Sequence, residues 1–201
     1  MNIKILLIFI LFFTINQSYS QKLKITDSVD YKKFLPDYVK LQFAGGIGFL
    51  SAGVGYTFFH NKLDLTGFYG YVPKKYTYDG LSSISFQATF KFFRFKISPN
   101  TQILPLNLGF FSHYTLGKDF WIKLPDNYPP GYYWWKPGRV TGIFMGGEVK
   151  TNLFASKTPA SGTAFYTRIG TRVLYLSSKF GNSSIKVKDI VELGFGVTIY
   201  R

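Results

Sequence analysis

The chain has no cysteine, so a disulfide framework, thiolate chemistry and a lipid anchor on cysteine are all closed to it. It has two histidines, His60 and His113, and its few acidic residues are scattered. That leaves no ligand cluster with the spacing of a metal site, and neither a metal nor a cofactor is expected. Acid is scarce overall: 10 Asp and Glu stand against 24 Lys and Arg, a net charge of +14. An excess of that size often marks a nucleic-acid partner. Long apolar runs are missing too. After the first residues no stretch approaches the roughly 20 apolar residues that a spanning helix needs.

What is present begins with an export signal. Lys4 precedes the unbroken apolar run Ile5–Phe13, and Ser18-Tyr19-Ser20 gives the small-x-small pattern of a cleavage site before Gln21. Residues 1–20 are therefore read as a cleaved signal peptide. Residues 21–36 read as a polar periplasmic lead-in with a short helix near Asp30–Leu35, and residues 37–201 as one domain. Export removes nucleic acid as a partner. The remaining anionic partner is a membrane surface carrying phosphorylated head groups.

The domain is rich in aromatics, one residue in five, and in glycine, with 20. Its hydrophobicity alternates. In Ile84-Ser85-Phe86-Gln87-Ala88-Thr89-Phe90-Lys91-Phe92 every second residue is apolar, and Val191, Leu193, Phe195, Val197 and Ile199 repeat the pattern near the end. Period two marks strands with two different faces. It predicts eight of them: Tyr38–Gly46, Ser51–Phe59, Lys62–Val72, Ser83–Phe93, Gln102–Tyr114, Arg139–Asn152, Thr163–Tyr175 and Lys188–Tyr200. Ten residues at about 3.3 Å rise, tilted by about 40°, cover the roughly 25 Å apolar band of an outer-membrane barrel. The fold class expected is thus all-β, an eight-stranded antiparallel transmembrane β-barrel of outer-membrane type. Its short turns would be His60-Asn61, Arg94–Thr101 and Leu153–Gly162. Its outer loops would be Ile47–Leu50, Pro73–Ser82, Thr115–Gly138 and Leu176–Val187.

Charge decides the faces, because Arg or Lys facing lipid at mid-membrane costs about 2–4 kcal/mol. By parity Lys40, Asp64, Lys91, Glu148, Lys150, Arg168, Arg172 and Glu192 lie opposite the apolar face of their strands, with Gln42, Gln87 and Asn107. They are expected to form an ion-paired network in a lumen that side chains fill. Inward glycines (Gly46, Gly53, Gly55, Gly142, Gly146, Gly170, Gly194 and Gly196) would make room for them. Aromatics near strand ends, Tyr38, Phe58, Tyr71, Phe93, Tyr114 and Tyr175, suit interfacial belts.

Chemistry is thin. Ser112 and His113 are adjacent on one strand and point to opposite faces, so they cannot pair as nucleophile and base. The His-x-Ser order of outer-membrane lipid A deacylases is absent, and no catalytic residue is assigned. Gly46-Ile47-Gly48 is followed by no helix and is not a dinucleotide loop. The loop Thr115–Gly138 exceeds what a fold requires. It holds all three Trp, and within it Trp121, Lys123, Tyr132, Tyr133, Trp134, Trp135 and Lys136 are candidate contacts to lipid or a surface ligand.

Leu41-Gln42-Phe43-Ala44-Gly45-Gly46-Ile47-Gly48-Phe49-Leu50-Ser51, Gly53-Val54-Gly55-Tyr56 and Phe68-Tyr69-Gly70-Tyr71-Val72-Pro73 resemble an uncharacterised outer-membrane β-barrel protein family of Bacteroidota. So do Tyr128-Pro129, Gly131-Tyr132-Tyr133-Trp134-Trp135, Asp189-Ile190-Val191 and Leu193-Gly194-Phe195-Gly196-Val197. The resemblance implies fold and location, and carries no functional residues. The ending Tyr200-Arg201 departs from the terminal aromatic that barrels usually show the assembly machinery. The function expected is an integral bacterial outer-membrane barrel, monomeric, with a structural or surface-interaction role and lipopolysaccharide among its lipid contacts. The alternatives are an outer-leaflet lipid-modifying enzyme, a narrow pore, and a soluble lipocalin-like barrel with its apolar face inward.

Overall fold

The structure, a computed structural model, describes residues 34–123, 128–129, 135–152 and 161–201. The expected signal peptide and lead-in lie almost wholly outside these residues. So do Tyr132, Tyr133 and Trp134.

Among the described residues nine strands form one antiparallel sheet: β1 (Tyr38–Ala44), β2 (Leu50–Phe58), β3 (Leu63–Val72), β4 (Leu81–Lys91), β5 (Phe95–Ser98), β6 (Thr101–Leu116), β7 (Arg139–Thr151), β8 (Gly162–Arg172) and β9 (Glu192–Tyr200). β1 pairs with both β2 and β9, from Tyr38 opposite Gly55 and opposite Tyr200. β4 passes over β5 to pair with β6. Eight strands therefore close on themselves, and among the described residues only the short β5 keeps an unpaired edge where another chain could add a strand. The four-residue β5 folds back on the start of β6. No helix among the described residues is long and apolar enough to cross a membrane.

Three stretches differ from the expected pattern. Arg94–Thr101, expected as a turn, holds the strand β5, because Phe95, Lys96 and Ser98 pair back on Ile103, Gln102 and Thr101. Val173-Leu174-Tyr175-Leu176 is apolar without alternation, and it forms a helix, α1 (Val173–Gly181), where the seventh strand was expected to run on. The last strand begins at Glu192 and not at Lys188. Residues Val187–Asp189 form a 3-10 turn, in which the Lys186 backbone N–H donates to the Asp189 carboxylate at 3.3 Å. Such a local side-chain bond competes with strand pairing.

Burial is inverted relative to a water-soluble domain. Phe86, Phe110, Phe165 and Met145 are each more than half exposed and Ile143 is 50% exposed, whereas Asp64 is 0% and Arg168 2% exposed. Along β1 the polar Lys40 and Gln42 are buried while Val39, Leu41 and Phe43 are exposed. The outer wall is thus apolar and the inside polar, which is the reverse of a lipocalin-like barrel. Of the expected belt aromatics, Phe58, Tyr71 and Phe93 face outward. Tyr38 does not. It is the first inward position of β1, and its ring lies inside the barrel, 1% exposed.

The inward glycines answer inward rings. Across the ladders Tyr38 pairs with Gly55, Phe68 with Gly53, Phe111 with Gly142, Phe144 with Gly109 and Tyr166 with Gly196. A Cβ added at Gly55 would sit against the Tyr38 ring and the Leu65 carbonyl, and one at Gly196 would meet the Tyr166 ring. Gly55→Ala is therefore expected to destabilise the barrel by about 1–3 kcal/mol. Gly67→Ala is the control. Its Cβ would meet nothing nearer than the Phe86 ring edge at 3.8 Å, so its denaturation midpoint should stay at the wild-type value.

The connection after β1 turns into the barrel. Ala44, Gly45 and Gly46 all take left-handed backbone angles, with φ of 56°, 77° and 77°. Two of these three positions are glycine, which adopts that conformation without steric cost. The result places Ile47 in the lumen, 0% exposed, clustered with Phe68, Phe111 and Phe144. Its carbonyl accepts a hydrogen bond from Ser83 Oγ at 2.8 Å.

Candidate functional site

The lumen is layered. At the end where β1 begins and β9 finishes, Lys91 Nζ lies 2.8 Å from Asp64 Oδ2 and 3.9 Å from Glu148 Oε2, and Lys40 Nζ is 3.7 Å from Asp64. The Tyr200 hydroxyl donates to Glu148 Oε1 at 2.8 Å, and it accepts from Lys91 at 3.2 Å. The sequence-predicted residues Lys40, Asp64, Lys91 and Glu148 are thus brought into one cluster. Lys150 joins it differently, with Nζ 3.6 Å from the centre of the Tyr200 ring.

Toward the other end come Arg168 and the Ile47 cluster. Arg168 was expected to be ion-paired, and among the described residues it has no ion pair. Its guanidinium is held between the Phe144 and Phe111 rings, 4.2 and 4.9 Å from their centres, and its three side-chain nitrogens have no hydrogen-bond partner among the described residues. A guanidinium is weakly hydrated and stacks on aromatic faces, so this cation is held by π-systems. At the far end Arg172 Nε pairs with Glu192 Oε1 at 2.8 Å, and Arg172 Nη2 donates to the Gly46 carbonyl at 3.2 Å. Five cations and three carboxylates therefore share the interior.

Two cavities open at the ends. The one at the Tyr200 end, about 640 Å3, is lined by Asp37, Lys91, Arg94, Glu148 and Lys150 among others. The far-end cavity, about 610 Å3, has apolar walls that include Phe49, Tyr76 and Phe120, and a polar floor of His113, Thr115, Arg172 and Glu192. Between them stand the charged cluster, Arg168 and the Ile47 cluster.

His113 touches a serine, but not the one beside it. Its Nδ1 lies 2.8 Å from Ser85 Oγ, its cross-strand partner on β4, and its Nε2 lies 3.3 Å from Thr115 Oγ1. Ser85 is fully buried. The alternation places both residues on the inner face, but which strand lies beside β6 is not legible in sequence, so the pair escapes notice there. Among the described residues no three His, Asp or Glu gather as metal ligands.

Of the loop candidates, Lys123 and Lys136 are exposed, Trp135 is 37% exposed and Trp121 is half-buried. The Trp121 carbonyl accepts from the Gly138 N–H at 3.1 Å, tying the two arms of the loop together. No family model matches the chain, and no curated protein is significantly similar to it.

Proposed function

We propose that the protein is an exported, integral barrel of the bacterial outer membrane, with a structural or surface-interaction role. The basic and aromatic residues of its long loop meet phosphorylated lipid there, lipopolysaccharide included. The observation that supports this most is the inverted burial. An exposed wall of Phe, Ile, Leu and Val encircles a lumen that holds ion pairs. In water such a wall would aggregate, whereas lipid covers it at no cost. Export through the signal peptide and handling by the outer-membrane assembly machinery follow from that location. The layered lumen argues against the narrow pore.

The test is fractionation of cells producing the full chain. The protein should stay in the membrane pellet through high salt and alkaline carbonate, leave it only with detergent, and migrate faster on gels before boiling than after. Release by salt alone would sink the proposal. In planar bilayers its conductance should remain at baseline.

A second reading, an outer-leaflet lipid-modifying enzyme, is favoured only by the Ser85–His113–Thr115 chain. It requires fatty-acid release from lipid A or phospholipid that disappears in His113→Ala.

A further inference from the structure

One groove on the barrel wall combines charge of a single sign with apolar surface. It encloses about 360 Å3, and Trp135, Lys136, Arg139, Thr141, Val173 and Leu174 line it. Local sequence builds it. The segment Lys136-Pro137-Gly138-Arg139 is a tight turn closed by the Arg139 N–H on the Lys136 carbonyl at 3.2 Å. Such a turn brings its first and fourth residues to the same edge. Lys136 and Arg139 therefore stand together where β7 begins. Arg139 is partly fixed, its guanidinium 5.8 Å from the centre of the Tyr114 ring. Among the described residues no carboxylate lies within ion-pair distance of either cation, whereas the exposed Lys74 has Asp79 at 3.8 Å.

The wall then changes character down β7. Its outward residues run Arg139, Thr141, Ile143, Met145: two cation-level polar positions, then two apolar ones, all exposed. The groove is thus continuous with the apolar wall. The opposite side is closed by Val173 and Leu174, where α1 leaves β8.

Resting on the membrane location proposed above, the geometry points to a phosphate-bearing lipid of the surrounding leaflet as the occupant of this groove. Lys136 and the planar fork of Arg139 hold the phosphate oxygens, and the Thr141 hydroxyl bonds to the head group. The first part of an acyl chain descends over Ile143 and Met145, flanked by Trp135 and Val173. Charge complementarity excludes a lipid without net negative charge, and the apolar half of the groove is wasted on free phosphate. Groove and wall together match an amphiphile.

The experiment is native mass spectrometry of the full chain in detergent, titrated with diphosphorylated lipid A, phosphatidylglycerol, phosphatidylcholine or inorganic phosphate. One lipid A or phosphatidylglycerol should bind per chain, and the stronger of the two names the source. Lys136→Gln with Arg139→Gln should weaken binding about thirtyfold, at about fivefold per cation near a membrane surface. Lys74→Gln with Lys188→Gln removes the same charge elsewhere and should leave binding unchanged. Arg139→Lys should lose a few-fold, because it keeps the charge without the fork. The unboiled gel shift confirms that each variant is folded. Adducts that survive the double variant overturn the groove, and so do phosphatidylcholine binding of equal strength or full competition by inorganic phosphate. None of these outcomes touches the membrane location, which salt extraction tests separately.

Discussion

Asp64→Ala is expected to lower the unfolding free energy by about 3–5 kcal/mol, the cost of leaving a buried charge without its partner. Asp64 has no exposed surface and lies within ion-pair distance of both Lys91 and Lys40. The interior already holds more cations than carboxylates, so losing Asp64 leaves Glu148 alone to answer Lys40, Lys91 and Lys150. Asp64→Asn should cost nearly as much, because a neutral amide restores no charge. Asp64→Leu combined with Lys40→Met should recover much of the loss, since a buried pair replaced by apolar residues is often neutral. Denaturant unfolding, followed by tryptophan fluorescence and by the unboiled gel shift, gives these values. A loss below about 1 kcal/mol would be that of a solvated surface pair, and would mean that water reaches the cluster freely.

Phe86→Arg is the second. Phe86 is 59% exposed near the middle of β4. In water, arginine at such a position is harmless. In a bilayer it should cost about 2–4 kcal/mol at the midplane, and the same change near the wall's edge, at Phe58 or Tyr71, about 0–1 kcal/mol. The depth profile is the signature to look for. Equal, negligible effects at all three positions would place the apolar wall outside a membrane.

The barrel was legible because alternation is a strong signal when one face must be polar and the other apolar. Ile84–Phe92 shows it residue by residue, and its inner positions Ser85, Gln87, Thr89 and Lys91 are all buried. Lumen membership of Asp64, Glu148 and Arg168 followed from the same parity. Partnership did not. Parity places a residue on a face but says nothing of which strand stands beside it, so Arg168 between two phenylalanines and Ser85 on His113 had no sequence signature. Tyr38 was misplaced because a strand-end aromatic suits both an interface and an interior facing glycine; the glycine opposite, Gly55, lies on the next strand. The wall groove shows the same limit. Lys136 was noticed for its loop composition, but Arg139, Thr141 and Val173 join it only through the turn and the departure of α1.

The inturned connection after β1 also constrains the order of assembly. Ile47 clusters with Phe68 of β3, Phe111 of β6 and Phe144 of β7. The hairpin of β1 and β2 cannot therefore settle by itself, although it is first in the chain. Its turn waits for strands up to a hundred positions later, and long sequence separation of this kind slows folding. Ile47 then behaves as a latch set at the end of closure. Contacts formed after the transition state act chiefly on the rate of unfolding, so Ile47→Ala is expected to speed unfolding of the finished barrel more than it slows refolding.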